Sequence, residues 1–169
     1  MDCNSFVRKI HSSVKHIILC TIILLTAFFC TSQRAITFEQ AKILGLGPLQ
    51  LDSIYAPGAH ADSTLAVFGT RQDAYIRAYQ GMLQDLGDFL KKNGFVFDKP
   101  TKGFNKIYFN MDGYVDHFLF SFRPDQLTAE QESEFHRLLE EFLKTYQFPM
   151  QAEKSFSQCS PVTYQPPAK

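Results

Sequence analysis

Cysteine bounds this fold more tightly than any other residue. Of four cysteines in 169 residues, Cys3, Cys20 and Cys30 lie at or before position 30, and only Cys159 lies beyond. A chain from residue 33 onward therefore has no internal disulfide to lean on. It must be held by a hydrophobic core, and some 135 residues are enough for one such core. Fourteen of the 17 phenylalanines fall in this part, and there is no tryptophan. Phenylalanine has no polar handle, so this supply reads as core material.

The first 32 residues follow a different logic. Arg8, Lys9, His11, Lys15 and His16 precede an apolar run from Ile17 to Cys30, which is closed by Thr31 and Ser32. Basic start, apolar middle and small-residue end are the three parts of a secretory signal peptide. The run is shorter than the ~20 apolar residues a membrane-spanning helix needs. The reading is a signal peptide over 1–32 cleaved after Ser32, with an uncleaved anchor at 17–30 or lipid attachment at Cys30 as alternatives. Each puts the rest, a single domain over 33–169, on the far side of a membrane, periplasmic or extracellular. From Ala35 onward 13 basic residues face 16 acidic ones, so no basic surface for nucleic acid is expected.

Thr37-Phe38-Glu39-Gln40 has the capping-box pattern and predicts a short helix, Phe38 to Leu44, stopped by Gly45. Gly45 to Ala61 reads as a packed loop, and Asp62 or Ser63 as the cap of one further turn. Tyr75, Ile76, Tyr79, Met82, Leu83, Leu86, Phe89 and Leu90 recur at threes and fours, the stripe of a long helix. Thr70 is its expected cap and Asn93-Gly94 its exit. Gly81 and Gly87 inside it each cost ~1 kcal/mol against alanine.

Phe95 to Phe97 reads as a short strand, followed by a turn over 98–103. Phe104 to Asn110, the turn Met111-Asp112-Gly113 and Tyr114 to Phe122 form a hairpin, since Asp-Gly supplies positive φ. Thr128-Ala129-Glu130-Gln131 is a second capping box, with Phe135, Leu138, Leu139, Phe142, Leu143 and Tyr146 on one face of its helix. Two strand segments, Glu153 to Gln158 and Val162 to Gln165, and a frayed tail complete the chain. The fold class expected is α+β: two main amphipathic helices packed on a small, mainly antiparallel sheet built around the aromatic hairpin. One long helix is expected to cover each face of that sheet.

No catalytic, cofactor or metal motif stands out. Cys159 with a histidine is the weighed nucleophile, and it is expected to be buried or to pair between molecules. His60, Asp62, Asp116 and His117 are the weighed metal ligands, with His136 the remaining histidine. Glu130, Glu134 and Glu141 are spaced on one helix face and read as solvated. The hairpin carries apolar side chains on both faces, so Tyr108, Tyr114, Phe118 and Phe120 are the candidate binding residues.

From Asn105 to Tyr164 the order strand, Asp-Gly turn, strand, capped helix, strand resembles the C-terminal domain of TonB-type energy transducers. Ile107, Tyr108, Phe109, Asp112, Gly113, Val115, Leu138, Leu139 and Phe148-Pro149 carry the likeness. Asn105-Lys106-Ile107-Tyr108-Phe109 and Gln158-Cys159-Ser160-Pro161-Val162 resemble small exported bacterial proteins of unassigned function. The resemblance implies a membrane-tethered interaction domain as an alternative and assigns no functional residue. The expectation is an exported, non-enzymatic binding module of the cell envelope with an unidentified protein or small-molecule partner. A small enzyme using Cys159 or histidines is the other alternative.

Overall fold

The computed structural model describes residues 34–166. The expected signal peptide or anchor and residues 167–169 of the tail lie outside them. The class is mixed α+β, on a five-stranded sheet. Strands β1 (Ala35–Thr37), β2 (Ala56–Pro57), β3 (Thr101–Phe109), β4 (Val115–Phe122) and β5 (Phe156–Tyr164) stand in the order β1-β4-β3-β5-β2. Central β3 runs antiparallel to both neighbours, whereas β1 joins β4 and β2 joins β5 in parallel. The sheet is thus mixed: its long pairings, β3 with β4 and with β5, are antiparallel, and its two outermost strands are short pieces of the N-terminal segment added in parallel.

Among the described residues four helices accompany it: α1 (Phe38–Ile43), α2 (Pro48–Leu51), α3 (Gln72–Lys92) and α4 (Ala129–Thr145). Both capping boxes form. Thr37 and Thr128 each accept from the backbone N–H three residues on, while Gln40 and Gln131 accept in return from the cap N–H. Asp62 does cap a turn, its Oδ1 accepting from the Thr64 N–H at 3.0 Å and its carbonyl from the Leu65 N–H at 3.1 Å, but no helix follows it. The expected cap at Thr70 is absent: a 3-10 turn, Gly69–Arg71, leads into α3 instead.

The expectation of one long helix per face is corrected. Residues of α3 and α4 share a single core with Ile107, Phe109, Phe118 and Phe120, and Phe89 of α3 meets Phe142 of α4 at 5.6 Å. Both helices therefore lie on the same face. The opposite face is covered by the N-terminal segment, through Ile36, Ala41, Leu51 and Tyr55 over Tyr108 and Leu119. That face offers so few apolar side chains that two short helices suffice to cover it.

A register shift between Tyr108 and Phe109 decides which side chains face which way. Phe109 is opposite Val115 but Tyr108 is opposite His117, which leaves Asp116 as the extra residue of a bulge. Val115 thereby joins the face of Phe118 and Phe120, although strict alternation groups it with His117. Phe95 to Phe97 form no strand; Phe95 and Phe97 tuck under α4 against Phe135. The turn expected over 98–103 is shorter, because Thr101-Lys102-Gly103 already pair with β5.

Candidate functional site

The four binding residues expected from the hairpin do not form a surface. Phe118 and Phe120 are buried beneath the helices and Tyr108 is buried beneath the N-terminal segment, on the opposite face. Only Tyr114 is exposed, beside the hairpin turn. The aromatic surplus is consumed by the core, in which two covered faces must be filled from one hairpin.

Tyr108 belongs to a polar cluster on its own face. Its hydroxyl donates to Asp52 Oδ1 at 3.1 Å, and Lys106 Nζ sits 2.9 Å from the same oxygen. Tyr55 donates to Asp116 Oδ2 at 2.8 Å. Burial, then the neighbouring carboxylate, pushes both tyrosine hydroxyls far above their usual range. His117 stands edge-on to both rings, and its buried Nδ1 has no hydrogen-bond partner among the described residues. These pairs tie the N-terminal segment to the sheet, and none of the side chains lines a cleft described below.

Burial lowers the pKa of His117 from 6.5, with Asp116 opposing. The folded state therefore refuses a proton that the unfolded chain accepts, so stability falls as the pH drops below 6.5. Urea midpoints at about pH 7.5 and about pH 5.5 should show this loss, and His117→Gln should reduce it.

The other weighed residues are separate. His60 Nδ1 accepts from the Asp62 N–H at 3.0 Å within one loop, and His136 Nε2 lies 2.7 Å from the Ala35 carbonyl oxygen. Glu134 pairs with Arg137 and Glu141 with Lys144, both on the exposed face of α4. Among the described residues no group of three His, Cys, Asp or Glu is placed to hold a metal ion. Cys159 is exposed, not buried, because it points away from the helices beyond the end of β2, opposite Lys106.

The strongest concave feature is a groove of about 600 Å³ between α3 and β5. Leu83, Gly87 and Leu90 form one wall, Phe95 to Phe97 the end, and Pro161 to Gln165 the other wall. The last four residues of β5 and Gln165 after it line the groove without a break, so the strand presents its main chain there and not just alternate side chains. Tyr79 at 2.6 Å from Ser160 Oγ, and Asn105 donating to Tyr164 at 3.1 Å, fix β5 from below.

The outer edge of β5 is only partly occupied. The N–H groups of Ala56 and Gly58 donate to the carbonyls of Ser155 and Ser157, at 3.2 and 2.9 Å. Main-chain groups alternate along a strand, so Cys159, Pro161 and Thr163 point to this same edge beyond β2. The Cys159 carbonyl is capped by Gln158 Nε2 at 3.1 Å. No described residue pairs with the Pro161 carbonyl or with the Thr163 N–H and C=O. Pro161 lacks an N–H where the ladder to β3 needs none, which is why β5 runs unbroken through it. Its presence made the sequence read as two segments.

Gly87 completes the groove. A Cβ built there meets nothing within 4 Å. The helix penalty of this glycine is therefore not offset by any close approach inside the domain. A helix glycine on the open side and a proline in mid-strand were the signals for this site in the sequence.

The chain matches no protein-family model, no curated protein and no solved structure.

Proposed function

We propose that this domain is a non-enzymatic binding module that receives an extended peptide along the outer edge of β5. The observation that carries the reading is the coincidence of unpaired main-chain groups on that edge with an apolar groove directly beside it. Strand addition takes affinity from the first and side-chain selectivity from the second. The edge already accepts one strand, since β2 occupies its beginning in parallel. In this reading the aromatic hairpin and the helix pair are the scaffold that holds edge and groove rigid. The segment up to Ser32 directs export, and the module works in the cell envelope.

The test is a random dodecapeptide display library selected on the full-length protein. Enriched peptides should alternate apolar and polar residues. Thr163→Pro removes one edge N–H without touching the ladder to β3, and should weaken them about fivefold or more. Gly87→Trp fills the groove and should weaken them further, while thermal stability holds or rises because a helix glycine is removed. No enrichment, or equal binding to both variants, sinks the reading.

A further inference from the structure

Four aliphatic side chains stand nearly free between residues 43 and 54. Leu49 is 90% exposed, Ile43 84%, Ile54 68% and Leu44 61%. All lie on α1, α2 and the turns that follow each. The stretch is firmly held: Thr37 caps it, the Leu46 N–H donates to the Ala41 carbonyl at 2.8 Å, and Leu51 and Tyr55 are buried beneath it. The aliphatic groups therefore project from fixed backbone.

Scattered exposed aliphatics are ordinary, but four within one twelve-residue stretch make a candidate contact patch. None of them lines a described cleft, so the patch offers no pocket. Protein interfaces centre on aromatic and arginine anchors seated in complementary pockets, and this patch has neither. Projecting leucine and isoleucine suit a medium that deforms around them, the boundary between lipid headgroups and acyl chains. The position in the chain points the same way. In the sequence the apolar run ends at Cys30, and Ile54 lies only 24 residues further on. From Arg34, β1 and α1 together extend about 20 Å at most. No described helix is long and apolar enough to cross a membrane.

We propose that Ile43, Leu44, Leu49 and Ile54 form a lipid-contact patch that seats the domain on a bilayer surface. The chain contains no tryptophan, so Leu49→Trp gives the full-length protein a single indole probe. It is reconstituted with phosphatidylcholine vesicles holding a minor share of phosphatidylglycerol, with or without brominated acyl chains. A second variant, Val96→Trp, places the indole in the groove on another part of the domain. Bromine quenching is short-ranged, so tethering alone does not produce it. Quenching at position 49 should exceed that at position 96 by about threefold or more, with a blue shift on adding lipid. Adding Ile43→Asp and Ile54→Asp to Leu49→Trp should abolish both signals, while the near-ultraviolet circular dichroism stays native. Equal quenching at 49 and 96, or none at 49, overturns the proposal. So does a blue-shifted position-49 indole before lipid is added. If that shift depends on protein concentration, a second copy covers the patch; if not, the chain covers it itself.

Discussion

Phe156→Ala should lower the stability of the domain by about 3–5 kcal/mol, the usual range for truncating a fully buried phenylalanine. The upper part of the range is expected because of what surrounds the ring. It stacks on Phe109 at 4.8 Å, meets Phe68 edge-on at 4.9 Å and touches Tyr75 and Phe148 at 5.9 and 5.7 Å. Four aromatic neighbours anchored on β3, α3 and two connecting segments cannot collapse together into the space left. A domain of this size should melt about 10–20 °C lower. Phe104→Ala is the comparison, since Phe104 is 39% exposed on the same sheet. It should change the midpoint little. Equal losses at the two positions would mean that the aromatic cluster is not the centre of the core.

Gly113→Ala should cost about 2–4 kcal/mol, from backbone conformation and a steric clash together. Gly113 holds φ at +88° in the hairpin turn, and its N–H donates to the Asn110 carbonyl at 3.1 Å. Its carbonyl accepts from the Phe148 N–H at 2.9 Å, which ties the turn to the segment after α4. A Cβ would fall 2.6 Å from the Phe148 carbonyl oxygen, a backbone atom that cannot swing aside. Gly94→Ala separates the two contributions. Gly94 has φ +82° but open space around its Cβ position, so only the conformational part applies. Chemical denaturation of both variants should place Gly113→Ala clearly below Gly94→Ala. Equal effects would remove the steric argument.

Features that the sequence announced were those built from neighbours in the chain. Thr37 with Gln40 and Thr128 with Gln131 bond across four consecutive residues, so they are readable without knowing the fold. The exit of α3 at Asn93-Gly94 and the turn at Asp112-Gly113 are local in the same way. What stayed hidden was set by distant partners. β1 and β2 are too short to show a pattern, and exist because β4 and β5 lie beside them. The bulge at Asp116 cannot be seen in the alternation of Val115 to Phe122, since it depends on the strand opposite. The same holds for the groove. Gly87 and Pro161 are conspicuous, but that they flank one opening follows only from placing α3 against β5.

Tyr108, Phe118 and Phe120 mark the limit of reading function from aromatic content. A hairpin apolar on both faces is equally a surface seeking a partner or a plank inside a sandwich. The deciding information lay in residues 35–57, whose few buried side chains cover one face without an amphipathic pattern strong enough to declare it.

That covering segment has a consequence for how the protein is made. Its ties reach far ahead: the Arg34 guanidinium donates to the Leu143 carbonyl across 109 residues, and the Ala35 N–H donates to Glu140 Oε1 across 105. Within the domain this segment is synthesised first, yet every surface it covers is translated later. Closing such long loops is slow compared with forming the hairpin or the helices. The earliest piece of the domain to exist is thus the last to be fastened. Until then, one face of the sheet and the side chains that will cover it, Ile36, Ala41, Leu51 and Tyr55, are open together.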